Sequence, residues 1–278
     1  MAVLETQGIS LHYEVHGDPR KPAVLLLAGL GGAGASWGPQ TARFAADRFV
    51  IVPDHRGTGQ TTRAADGYTI TQHAADMAAL VTHLDLGPVH VVGTSTGGAI
   101  AQAMALDHPA TVRSATMASS FARPDSYMRR QFALRRKLMA ESDAQTIYSC
   151  YALFLFAPHY ASQNPQRVAA WVERAAAHPL EREVSLKRID MIMAHDLFGR
   201  LGDIAQPVLC LGGDHDLCTP FYLSREIAQA IPGAQLEVLA GGGHFIHYEQ
   251  EQRFFDVISA FLGSVDHGEQ KERASAAA

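Results

Sequence analysis

Short apolar runs, each stopped by glycine or proline, alternate with longer stretches of helical character along most of this chain. Ile9–Val15 alternates apolar and polar residues as a half-exposed strand does. Ala23–Ala28, Phe49–Val52, His90–Val92, Val112–Met117, Val208–Leu211 and Leu236–Leu239 are continuous apolar runs. Runs of that kind predict strands buried on both faces. Between them, Thr71–Leu86 carries apolar residues at spacings of three and four. Ala99–Leu106, Leu223–Ile231 and Phe254–Leu262 have helical patterns as well. Strand alternating with helix constrains the chain to the α/β class, with a mostly parallel central sheet and helices on both faces.

One stretch breaks the rhythm. From Arg123 to Leu201 no strand run is found, and Ser126–Glu141, Ala144–Phe154, Arg167–Ala177 and Leu180–Asp196 all read as helix. The expected organisation is therefore a core made of residues 1–122 and 202–265, a helical cap over 123–201, and a flexible tail over 266–278. The segment from Gly263 onward is small and polar, and is expected to fray. At 278 residues the chain sits near the size at which a single hydrophobic core stops growing. Hydrophobic residues at 47% against 18% charged exclude intrinsic disorder.

The remaining composition narrows the partners. A net charge of −5 gives no sign of a nucleic-acid or anionic-membrane surface. No apolar run approaches the roughly 20 residues of a membrane span, and MAVLETQGIS lacks the pattern of a signal peptide. A cytoplasmic location is the expectation. Cys150, Cys210 and Cys218 show no CxxC spacing, and the histidines form no HExxH pair. No metal and no cofactor are expected. A homodimer is left open.

The run at 90–92 leads into Gly93-Thr94-Ser95-Thr96-Gly97-Gly98 and then a helix. This is G-x-S-x-G in its required context of strand, sharp turn and helix. The turn exposes the serine hydroxyl, positions two residues away must be small, and the helix N-terminus aims free N–H groups at the reacting centre. Ser95 is the expected nucleophile. A serine needs a base and an orienting acid, which in this chain order follow at later strand ends. Gly212-Gly-Asp214-His-Asp216 and Gly241-Gly-Gly-His244-Phe supply both. His244 is the expected base; Asp216 is favoured over Asp214 as its acid. The backbone N–H groups of Leu30, in the glycine-rich loop Ala28–Gly32, and of Thr96 are the expected oxyanion donors.

These motifs together resemble the α/β-hydrolase fold superfamily over residues 9–262. The resemblance rests on LAGLGG (27–32), DHRGTG (54–59), VVGTSTGGAIAQ (91–102), GGDHDLCTP (212–220) and GGGHF (241–245). Two positions depart from the common pattern: Ala28 stands where many members carry histidine, and Thr96 where methionine is frequent. Neither removes a backbone donor. RRQFALRRKL (129–138), ALFLFAPHY (152–160) and LKRIDMIMAHD (186–196) look most like the cap of 3-oxoadipate enol-lactonases and aminoacrylate hydrolases. The resemblance implies a cofactor-independent serine hydrolase of a small carboxylic ester, lactone or related acyl compound. The same fold also implies rival reactions: carbon–carbon bond hydrolysis, acyl transfer, haloperoxidation or cofactor-free dioxygenation. A non-catalytic ligand receptor is a third reading.

The cap would lie over Ser95. Arg129, Arg130, Arg135, Arg136 and Lys137 crowd one segment of it. They form either a solvated helix face or a face from which one arginine turns inward to hold a substrate carboxylate. Trp37, Arg129, Arg130, Phe132, Phe154 and Phe245 are the expected substrate-contacting side chains.

Overall fold

The computed structural model describes residues 2–276. Its eight strands are β1 (Ala2–Thr6), β2 (Ile9–His16), β3 (Ala23–Leu27), β4 (Phe49–Pro53), β5 (Val89–Thr94), β6 (Val112–Ala118), β7 (Val208–Gly213) and β8 (Gln235–Leu239). They form one sheet in the order β1-β2-β4-β3-β5-β6-β7-β8. β1 pairs with β2, and β2 with β4, in antiparallel fashion; all later pairings are parallel. β1 had no counterpart in the sequence reading. It hangs on β2 at the sheet edge and its side chains alternate in burial, too weak a pattern in so short a run.

The helices are α1 (Pro39–Ala45), α2 (Ile70–His83), α3 (Thr96–Asp107), α4 (Ser126–Glu141), α5 (Ala144–Leu155), α6 (Pro158–Gln163), α7 (Pro165–Ala177), α8 (Arg182–Ala194), α9 (Phe221–Ala230), α10 (Ile246–Glu249) and α11 (Glu251–Ala276). Side-chain caps start several of them. Thr69 Oγ1 accepts from Gln72 N at 3.0 Å, Asp125 Oδ1 from Met128 N at 2.8 Å, and Asp143 Oδ1 from Thr146 N at 2.9 Å. Each satisfies an N–H that the first helical turn leaves without a partner.

Alternation along the central strands separates two apolar layers. Leu25 and Leu27 join the layer that includes side chains of α2, α3 and α9, whereas Val24 and Leu26 join that of α1 and α11. β3 to β7 are buried on both faces, as their unbroken apolar runs require. β8 departs from that reading. It is the edge strand, and Leu236 and Val238 are exposed. Between β6 and β7 every described element is helical, α4 through α8. No described helix is long and apolar enough to cross a membrane.

The helix expected to stop at Leu262 begins at Glu251 and continues to Ala276. Asp266, within the segment expected to fray, accepts hydrogen bonds from Arg48 Nη1 at 2.5 Å, Arg113 Nη1 at 3.1 Å and the His90 ring at 3.1 Å. Long-range partners order a stretch whose local composition promises little. Residues 277 and 278 of the expected tail lie outside the described residues.

Candidate active site

The parallel strands bring the loops that follow β3, β5, β7 and β8 to one edge of the sheet, where open α/β sheets place their ligands. Ser95 stands between β5 and α3 with φ 54° and ψ −118°, a backbone region costly for a residue with a side chain. The surroundings hold it there. Ser95 N donates to Ala118 O at 2.8 Å, and Ser120 Oγ donates to Ser95 O at 2.8 Å. Both flanking glycines are sterically required. A Cβ on Gly93 would lie 2.2 Å from Gly97 O, and one on Gly97 would lie 2.1 Å from Leu27 O. Thr96 opens α3, so its N–H has no acceptor within the helix.

Asp216, rather than Asp214, meets His244. Asp216 Oδ2 lies 2.8 Å from His244 Nδ1. Its other oxygen accepts from Cys218 N at 2.7 Å and Thr219 N at 2.8 Å. Asp214 is exposed and accepts from Gly241 N at 2.6 Å, bracing the neighbouring loop. The His244 loop is tied to the helical segment above it: Phe245 N donates to Leu155 O at 2.9 Å. The Glu249 carboxylate bridges both sides, accepting from Gly243 N and from Ala157 N at 2.9 Å each.

Ser95 and His244 line one cavity of about 520 Å³, a volume suited to a small ligand. Among the described residues no hydrogen bond joins the two side chains. Leu30, in the loop after β3, also lines this cavity, and its neighbour Gly29 closes on the serine. A Cβ on Gly29 would lie 3.4 Å from Ser95 Cβ. Trp37, Phe132 and Phe245 line the cavity as the sequence suggested. Arg129, Arg130 and Phe154 do not. Arg129 and Arg130 point to solvent, Arg129 donating to Met193 O. Phe154 is part-buried, packed against the main apolar cluster. For the two arginines the turn of α4 decides this, since it buries Met128, Gln131, Phe132, Arg135 and Met139 and leaves Arg129 and Arg130 exposed.

Two arginines line the cavity: Arg174, which is exposed, and Arg135, which is 3% exposed. Its guanidinium stacks over Tyr151 at 4.1 Å and Phe132 at 4.8 Å. Nη1 donates to Cys218 Sγ at 3.2 Å, while Nε is buried without a hydrogen-bond partner among the described residues. Its guanidinium is thus buried against a thiol instead of a carboxylate, with one N–H donor left without a partner among the described residues.

The charges here are coupled. Burial alone would lower the pKa of His244, but Asp216 and Cys218 outweigh it and hold the imidazole above its ordinary range. Burial pushes the Cys218 thiol up, and the nearby His244 and Arg135 outweigh that in turn, leaving it below the ordinary thiol value. His247, also against the cavity, is pushed down to about 4 by burial and by His244. Cys218 was not singled out as a site residue by sequence, nor were Tyr148, Tyr151 and Trp171, which also line the cavity. The only signal for Cys218 is its place two residues after Asp216. Among the described residues no group of three or more His, Cys, Asp or Glu side chains converges as a metal-ligand set would.

Comparison with known proteins gives a consistent result. The family profile described as alpha/beta hydrolase fold matches residues 22–251. A Caulobacter vibrioides protein named "Putative carbamate hydrolase RutD" is 35% identical over 256 residues, covering 91% of this chain and 95% of that one. The crystal structure of the enol-lactonase from Burkholderia xenovorans LB400 matches with a TM-score of 0.86 at 25% identity, covering 94% of this chain and all (100%) of that one. Est816, described as an N-acyl homoserine lactone degrading enzyme, matches with a TM-score of 0.82 at 26% identity, over 94% of this chain and 100% of that one.

Proposed function

Because the chain belongs to the alpha/beta hydrolase fold family and is a hydrolase, we propose that it cleaves a small anionic acyl compound through a serine-bound acyl intermediate. The observation that carries this reading is one cavity shared by a serine on a strained strand-to-helix turn and a histidine 2.8 Å from a buried carboxylate. Ser95 Oγ attacks the acyl carbon and His244 takes its proton. Asp216 holds the imidazole in the tautomer that leaves Nε2 free to accept. The N–H groups of Leu30 and Thr96 stabilise the oxyanion, each worth on the order of 3 kcal/mol. His244 then protonates the leaving group, and water activated by the same imidazole releases the acid. Contacts of the serine with its base tighten once substrate is bound.

The relatives are named for carbamate hydrolysis and for opening lactones, and all of these reactions attack an acyl carbon. Support for an anionic substrate comes from Arg135, buried in the cavity with no carboxylate against it. Ser95→Ala should keep the fold and lose turnover on the order of 10⁴-fold, and a fluorophosphonate should label the parent at Ser95 alone. Near-parental turnover in Ser95→Ala, or labelling elsewhere, defeats the reading. Arg135→Gln should lower kcat/KM for a carboxylate-bearing ester about 10–100-fold, the worth of hydrogen bonds to a charged group. A neutral ester of equal size should be little affected. Equal losses on both esters would remove the anionic substrate from the proposal.

A further inference from the structure

Arg188, on α8 of the helical segment, is fully buried, yet no acid stands among the groups that perturb it. Its guanidinium is solvated by neutral acceptors instead. Nε donates to Leu30 O at 2.7 Å and Nη2 to Gly29 O at 3.3 Å. Nη1 lies 2.9 Å from His73 Nε2, and Nη2 lies 3.3 Å from His55 Nδ1. The tautomers fit. His73 Nδ1 is 2.8 Å from Thr69 O and donates to it, which leaves Nε2 to accept from Arg188. Burial lowers both imidazoles, with the Arg188 charge adding to it, so both stay neutral acceptors.

The two carbonyls belong to the loop that lines the cavity beside Ser95. In a planar trans peptide the C=O and the N–H point in opposite directions. Gly29 C=O and Leu30 N–H share one such unit. Whatever fixes the Gly29 carbonyl therefore fixes the direction of the Leu30 N–H. Gly29 O is held from two sides, by Gly32 N at 3.0 Å and by Arg188. We propose that Arg188 is the positioning residue of the oxyanion hole: gripping the Gly29 and Leu30 carbonyls, it aims the Leu30 N–H into the cavity and sets a positive charge behind it. The inference rests on the serine-hydrolase reading above. It adds that an arginine from the inserted helices, outside the cavity, builds part of the catalytic machinery.

The test starts from the full-length parent. Its labelling by a fluorophosphonate and its turnover of p-nitrophenyl butyrate establish the serine chemistry; failure at this step overturns the underlying reading and leaves Arg188 with no hole to position. Given that activity, Arg188→Met should lower kcat on the order of 10²-fold, the cost of losing one oxyanion donor, with KM changed by less than about threefold. Affinity for a trifluoromethyl ketone, whose adduct oxygen occupies the hole, should fall by the same factor as kcat. If the methionine variant does not fold, Arg188→Lys replaces it. The ammonium keeps the charge but not the fork, and kcat and ketone affinity should again fall together. Parental kcat in the folded variant overturns the proposal. So does a loss of kcat without a matching loss of ketone affinity, which would mark Arg188 as a purely structural residue.

Discussion

At the scale of single residues, the His244 end of the cavity is a chain of coupled charges. Arg135 touches Cys218, which helps to raise the pKa of His244, and His244 is bound to Asp216. The coupling has a definite sign for catalysis. As the base of the proposed reaction, His244 would accept a proton from Ser95 only when neutral. Its raised pKa keeps it protonated to higher pH, so kcat/KM should rise with pH along a limb lying above the ordinary imidazole value of about 6.5. Cys218→Ala removes one of the groups that raise the His244 pKa and should move that limb to lower pH. A limb that stays in place would show that the thiol does not act on the base. Much of the site at this scale is legible in the sequence. Ser95, Asp216 and His244 were singled out from glycine spacing and chain order; Asp216 lies 2.8 Å from His244, and Ser95 and His244 line one cavity. The inward arginine was not legible, because five basic residues in one segment share the same chemistry and differ only in where the helix points them.

At the scale of elements, ends and edges are where local reading and structure part. α11 continues beyond Leu262 because Asp266 is bound by Arg48, His90 and Arg113 on β5, β6 and the loop before β4. Burial would raise the Asp266 carboxyl, but its bonds to His90 and Arg48 outweigh that and hold it below the usual carboxylate range. The stability it contributes is then present above its unfolded pKa of about 4 and is lost as pH falls toward the folded value. Asp266→Asn should cost about 1–3 kcal/mol in urea unfolding at neutral pH, and the difference from the parent should shrink below about pH 4. A constant difference across that range would contradict the pairing as its source. Continuous apolar runs identified β3 to β7 because both faces of those strands are covered. The same rule misjudged β8, since an edge strand can be apolar in sequence and still meet water.

At the scale of the whole molecule, two layers of helices cover a parallel sheet, and the segment between β6 and β7 supplies groups to the cavity from a distance in sequence. Arg135 reaches the cavity from α4, and Arg188 of α8 reaches the loop beside it, whereas Ser95, Asp216 and His244 come from the sheet edge. The amino-acid sequence by itself determined the class of fold, the strained turn and the chain order of the serine, aspartate and histidine that line up at the sheet edge. Those features obey short-range rules: a Cβ at Gly93 cannot occupy the space of the Gly97 carbonyl within the same turn, and an apolar run ends where glycine or proline ends it. Only the tertiary structure decided that Asp216 rather than Asp214 meets His244, that Arg135 rather than Arg129 or Arg130 faces the cavity, and that Arg188 reaches the loop after β3. Each depends on how a helix or loop is rotated against partners tens to more than a hundred residues away. Packing sets that rotation, and no local pattern records it.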